Sequence, residues 1–245
     1  MSQEKKIHVV RIGPGNRENM TLRALQVLQD CDVIVGYRTY TDLIKDQYPD
    51  KEIISSDLIK ERERCLQCVE LARNGKKVAL ICSGDPGIYG MASPMLEVAS
   101  EEGFTDVEIV PGVTAASSGA SLLGAPIGHD FCVISLSDLL TPWELIEKRL
   151  KNAAAGDFNI VLYNPASHKR QDYLKRACKV LTDTLPQERI CGLVRNIGRE
   201  NEECRITTLG QLADADADMF TTVWIGNSQT RVYDQRMITP RGYDK

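Results

Sequence analysis

Histidine is scarce in this 245-residue sequence: only His8, His129 and His168 are present. None sits in the sharp strand-to-helix context of a nucleophile elbow, so no Ser/His/Asp triad is expected. Cysteine is not scarce, at eight residues, but only Cys65-Leu66-Gln67-Cys68 forms a close pair. No second pair completes a zinc set, and no metal is expected. The remaining cysteines lie mostly in apolar runs, where a reduced thiol acts as a small hydrophobe. No apolar run approaches the roughly 20 residues of a membrane span. The opening residues Met1 to Lys6 lead directly into a strand without a secretory pattern, so a cytoplasmic protein with no membrane partner is expected. A formal net charge of −4 withholds the basic face that sequence-independent nucleic-acid binding requires. Repeats and low-complexity tracts are also missing.

What is present is an alternation of short apolar runs with helical periodicities. Strands are predicted at Ile7–Ile12, Asp32–Val35, Val78–Cys82 and Val107–Val110. Helices are predicted after Thr21, over Lys60–Asn74 and over Met91–Glu102, the last two stopped by Gly75 and Gly103. A small-residue helix follows from Ala115 to Leu123. Beyond Gly124-Ala125-Pro126-Ile127-Gly128 come strands Cys132–Leu136, Asn159–Tyr163, Ile190–Arg195 and Thr221–Ile225. Helices are expected near Pro142–Ala154 and Arg170–Leu185. The pattern predicts α/β architecture in both halves. With the boundary inside 111–129, two α/β domains are expected, 1–115 and 116–245.

The most informative stretch is Ser83-Gly84-Asp85-Pro86-Gly87-Ile88-Tyr89-Gly90. It breaks the pattern directly after the buried strand Val78–Cys82, where α/β sheets place their ligand loops. Glycine there lets a ligand approach the backbone closely. Gly13-Pro14-Gly15 follows the first strand in the same manner and invites a dinucleotide reading, but the fingerprint fails. A third glycine would fall at Glu18, and Gly36 stands where an acidic residue should end the second strand. A nicotinamide oxidoreductase therefore remains only as an alternative from a different class.

Taken together, the segments IGPGNRENMTLRAL…DVIVGY, CSGDPGIYGMAS, VPGVTAASSGASLLGAP, VLYNP and TTVWIGNS occur in an order that resembles the tetrapyrrole (corrin/porphyrin) methylases. The likeness covers about residues 7 to 240. Leu162-Tyr163-Asn164-Pro165 with Ser167, and Arg195-Asn196-Ile197-Gly198-Arg199, resemble the branch that methylates carbon 17 of a precorrin-3 or cobalt-precorrin-3 species with ring contraction. Methylation at another precorrin ring carbon is the alternative within the family.

The resemblance implies two α/β domains with S-adenosylmethionine folded into a cleft between them, and a homodimer. It implies cofactor contacts at Pro14, Ser83, Gly84, Asp85, Ile88, Thr114, Ala115, Asn164, Asn196, Ile197 and Thr222. Many relatives carry glycine where Ser83 stands. A polycarboxylate precorrin calls for dispersed cations, and Arg11, Arg38, Lys169, Arg195 and Arg199 lie near the predicted strand ends. His129 and Tyr37 are the candidates for a base or hydrogen-bond donor near the reacting carbon. Whether the substrate carries cobalt is left open.

Overall fold

The computed structural model describes residues 6–13, 15–167 and 170–243. The chain forms two compact units, Met1–Thr114 and Ala115–Lys245.

The first unit contains β1 (Ile7–Arg11), α1 (Leu22–Asp30), β2 (Val33–Tyr37), α2 (Arg38–Ile44), β3 (Glu52–Ser56), α3 (Glu61–Arg73), β4 (Val78–Cys82), α4 (Ala92–Glu101) and β5 (Val107–Val110). All five strands are parallel, in the order β3-β2-β4-β1-β5. Helices cover both faces, which is why the strands read as near-continuous apolar runs. Ala24, Val27 and Leu28 of α1 pack on one face with Val10, Ile34 and Ile81. On the other, Cys65, Cys68 and Val69 of α3 and Met95 and Val98 of α4 pack with Val9, Val35 and Leu80. Thr21 caps α1 through its side chain, which accepts from the Ala24 amide at 3.2 Å, as its residue type predicted.

Strand β2 runs two residues past the predicted end, which places Gly36 inside it. A side chain there would meet Ile81 of β4 at 2.5 Å and Thr41 of α2 at 3.1 Å, so this glycine lets the neighbouring strand's side chain and helix α2 pack over β2. Helix α2 and strand β3 were not anticipated. Cys65 and Cys68 are fully buried, and burial pushes the Cys65 thiol up to about 12.

The second unit contains α5 (Ala115–Leu123), β6 (Gly124–Ala125), β7 (Phe131–Ser135), α6 (Trp143–Ala155), β8 (Asn159–Tyr163), α7 (Tyr173–Thr182), β9 (Ile190–Arg195), β10 (Glu203–Thr208), α8 (Leu209–Leu212), β11 (Thr221–Ile225), β12 (Arg231–Tyr233) and β13 (Arg236–Ile238). Its main sheet is mixed, in the order β10-β9-β11-β8-β7, with only β7 and β8 parallel. Strands β12, β13 and β6 form a small separate sheet. One face of the main sheet packs on α6, α7 and α8 through Ile146, Leu150, Leu174, Leu181 and Leu212. The other carries α5, whose Ala116, Ala120 and Leu123 pack with Val161, Val194 and Trp224. Strand β10 was also unanticipated, and the sheet is mixed because β11 runs antiparallel to both β8 and β9.

Candidate functional site

In the first unit the chain leaves β1 for β2 on one side and leaves β4 for β5 on the other. The loops beyond these two neighbouring strands therefore cross one another at the carboxyl ends of the strands, the end at which open parallel sheets bind ligands. Here the two glycine-rich loops meet directly. The Gly84 amide donates to the Gly13 carbonyl at 2.8 Å, and the Ser83 hydroxyl reaches the same oxygen at 3.4 Å. Gly84 adopts φ +74°, in the left-handed region that favours glycine. A side chain at this position would also strike the Arg11 guanidinium, 2.7 Å from the Cβ position.

Asp85 ties the loops together. One carboxylate oxygen accepts from the Gly87 amide at 2.9 Å, forming a local turn. The other accepts from the Gly112 amide at 3.0 Å, which brings in the loop after β5. Gly112 sits so close that a Cβ would lie 2.4 Å from the Gly84 carbonyl oxygen. Ile88 is half-buried, its amide donating to the Asp85 carbonyl at 3.2 Å. Three strand-end loops thus converge around backbone groups, with one carboxylate as their internal link.

Arg11 departs from its expected place among solvent-facing substrate cations. It is 8% exposed, and its Nη1 donates to the Ile88 carbonyl at 3.1 Å. Tyr37 ends β2 at the same sheet edge and packs edge-to-face on Tyr40, with ring centroids 5.3 Å apart. Arg38 opens α2, is largely exposed, and faces Asp57 at 3.5 Å. Pro14 and Lys169 lie outside the described residues.

In the second unit the strand register pairs Ser135 with Tyr163 and, one residue further on, sets Thr221, Arg195 and Glu203 in one row at the same end of the sheet. Asn164 follows Tyr163 directly, with φ +53°, and its amide group donates to the Ser135 hydroxyl at 2.9 Å. Asn196 follows Arg195 with φ +55°. Its backbone amide donates to the Phe220 carbonyl at 3.2 Å and its side chain to the Asn201 carbonyl at 3.2 Å. Asparagine tolerates this backbone region better than most side chains, and such residues cluster at functional sites. Thr222 and Ile197 are buried beside this row.

Ala115 opens α5, and the next residue, Ala116, is held at both ends. Its amide donates to the Tyr163 hydroxyl at 2.7 Å, and its carbonyl accepts from the Trp224 indole at 3.2 Å. Sequence reasoning missed Tyr163 and Trp224 in this role, although each lies within a motif quoted for its neighbours.

Two expected residues are not available as read from the sequence. His129 lies before β7, at the opposite end of the sheet from Asn164, since Phe131 pairs with Asn159 at the strand starts. Its Nδ1 accepts from the Asp130 amide at 2.8 Å. Arg195 stands in the row but is already engaged. Its Nη2 donates to both the carboxylate and the carbonyl of Asp216, each at 2.9 Å, and Asp218 lies at 3.6 Å. Arg199 stacks over the Phe220 ring at 5.0 Å. Among the described residues no group of three or more His, Cys, Asp or Glu side chains is placed to hold a metal, and no helix is long and apolar enough to cross a membrane.

Two α/β units, one with backbone-built loops at the carboxyl ends of its strands, define a class of enzyme that binds a small molecule at strand-end loops. The model of the Tetrapyrrole (Corrin/Porphyrin) Methylases matches residues 6–213, and the chain belongs to that family. It is 48% identical to the probable cobalt-factor III C(17)-methyltransferase of Salmonella typhimurium, covering 97% of this chain and 99% of that protein. It is 44% identical to the cobalt-factor III methyltransferase of Priestia megaterium, where it covers 98% of this chain but 45% of that longer protein. The crystal structure of the methyltransferase CobJ superposes with a TM-score of 0.89 at 34% identity, covering 96% of this chain and 99% of that one. The nicotinamide alternative falls with the family assignment.

Proposed function

We propose that this protein is an S-adenosylmethionine-dependent methyltransferase of corrin biosynthesis that methylates carbon 17 of a cobalt-containing precorrin-3-level macrocycle, with ring contraction. The observation that carries this reading is the 48% identity to the Salmonella typhimurium relative across 99% of that protein's length. The cobalt-containing form is chosen because both relatives described above are named for cobalt-factor III. A homodimeric state and a cytoplasmic location belong to the same proposal.

The first-unit loops fit such a cofactor. At Gly84 and Gly112 the space a Cβ would fill is taken by Arg11 and by the Gly84 carbonyl, so these glycines let the strand-end loops close tightly on one another and fix the loop backbone at the strand ends. S-adenosylmethionine, when bound, supplies a methyl group on a sulfonium, which leaves the protein to orient, exclude water and place charge. Ser83, Gly84, Asp85 and Ile88 are assigned to hold the cofactor, together with Pro14 of the loop after β1 and Thr114 of the loop after β5. Ala115, Asn164, Asn196, Ile197 and Thr222 are assigned as the second unit's contacts. Tyr37 is the favoured hydrogen-bond donor toward the macrocycle, since it shares a sheet edge with the loops. For the substrate's carboxylates, Arg38, largely exposed where α2 begins, is favoured over Arg195, which is partly buried and bound to Asp216 and Asp218, and Arg199 stays a candidate.

The deciding experiment is anaerobic incubation with cobalt-factor III and methyl-labelled S-adenosylmethionine. One labelled methyl per macrocycle is expected, located at carbon 17 by nuclear magnetic resonance. A methyl at another ring carbon would overturn the regiochemistry and leave methyl transfer standing. No transfer to any tetrapyrrole, despite firm binding of S-adenosylhomocysteine, would overturn the substrate class.

A further inference from the structure

A buried arginine needs a reason, because withdrawing a charged group from water is costly unless its hydrogen bonds are met within the protein. Arg11 is the last residue of β1 and pairs in register with Cys82, the last residue of β4. Its side chain is 8% exposed and lies under the Gly84–Gly90 loop. Nη1 donates to the Ile88 carbonyl at 3.1 Å. Nη2 lies 2.7 Å from where a Gly84 side chain would begin, and Nη1 lies 2.9 Å from the same point at Gly90. The Arg11 Cβ occupies the corresponding space at Gly112, at 2.7 Å. One planar guanidinium therefore lies against both glycine ends of the loop, donates to its middle, and supports the loop after β5 with its stem.

We propose that Arg11 is a positioning residue for the cofactor loop, and not a contact for the substrate's carboxylates: its guanidinium is the flat base on which the Gly84–Gly90 turn takes its shape. The inference rests on the reading of that loop as the S-adenosylmethionine site. Planarity is central to it. A guanidinium offers several donors in a rigid fork, whereas an ammonium is a compact point on a flexible stem. Lysine would keep the charge but leave the flat space beneath Gly84 and Gly90 incompletely filled.

The test separates the two roles by which ligand is lost. In Arg11→Met the Kd for S-adenosylhomocysteine and the KM for S-adenosylmethionine are expected to rise roughly 10- to 100-fold, the size of a lost charge-assisted hydrogen bond. Both kcat at saturating cofactor and the KM for the tetrapyrrole are expected to change by less than about twofold, since only cofactor binding has lost an interaction. Guanidinium ion at sub-denaturing concentration should restore part of the cofactor affinity of Arg11→Ala and none to the wild type. Should Arg11→Met not fold, Arg11→Lys carries the comparison, with a weaker loss on the same ligand. Unchanged cofactor affinity in a folded variant, or a loss that falls on the tetrapyrrole KM instead, would overturn the proposal. A wild-type protein that binds no S-adenosylhomocysteine would bring down the reading of the loop itself, a result that calorimetry on the wild type alone delivers.

Discussion

Gly84→Val is expected to weaken S-adenosylhomocysteine binding by about 100-fold or more while leaving a folded protein. Two costs add at this position. Holding a β-branched residue in the left-handed region costs of order 1–3 kcal/mol. The new side chain must also displace the Arg11 guanidinium, which lies 2.7 Å from the Cβ position. The loop can escape both by abandoning its bond to the Gly13 carbonyl, and a ligand then pays to rebuild it, so about 2.7 kcal/mol, a hundredfold, is a modest expectation. Gly84→Ala should fall between the variant and the wild type. Isothermal calorimetry together with thermal melting decides the matter: undiminished affinity in a folded Gly84→Val protein would remove this loop from the site.

Trp224→Ala is expected to produce the largest loss of stability in the second unit, about 3–5 kcal/mol. The indole is 1% exposed and packs among Ala116, Ala120, Leu123, Val161, Val194, Ile197 and Met237. Gly119 is matched to it, for a Cβ there would lie 2.2 Å from the ring. Truncation opens a cavity and strips the Ala116 carbonyl of its indole donor. Urea unfolding can be followed through Trp143, which packs against Tyr173 and Arg176 within the same unit. A loss below about 1 kcal/mol would contradict the packing described, because it is far less than deletion of a buried aromatic normally costs.

The parts of the fold that were legible in the sequence are those buried on both faces. Strands β4 and β8 carry the apolar runs Val78–Cys82 and Ile160–Tyr163 because helices cover each side of their sheets, and β5 and α5 were bounded by clear proline and glycine signals. Of the missed strands, the two in the main sheets, β3 and β10, are each the edge of its sheet. Glu52-Ile53-Ile54-Ser55-Ser56 and Glu203-Cys204-Arg205-Ile206-Thr207-Thr208 bury too little to need a continuous apolar run, so their pairing left a weak mark in the sequence. For the candidate site, the glycine loops were legible because close backbone approach restricts residue type. The burial of Arg11 was not, since nothing in Val9-Val10-Arg11-Ile12 distinguishes an arginine under a loop from one in solvent. His129 was misplaced for a related reason: its position after the linker was plain, but which end of β7 it occupies depends on sheet direction.

Helix α5 begins in a way that bears on motion. The first amides of a helix have no partner within it, and helix ends usually open readily and exchange their hydrogens fast. Ala116 is an exception at both of its polar atoms, one bound by the phenol of β8 and the other by the indole of β11. In deuterated water its amide should therefore exchange at the slow rate of the sheet interior. Removing the phenolic oxygen with Tyr163→Phe should return that one amide to the fast rate typical of a free helix start. The residues that open this helix, Ala115 among them, are then as stiff as the strands they lean on.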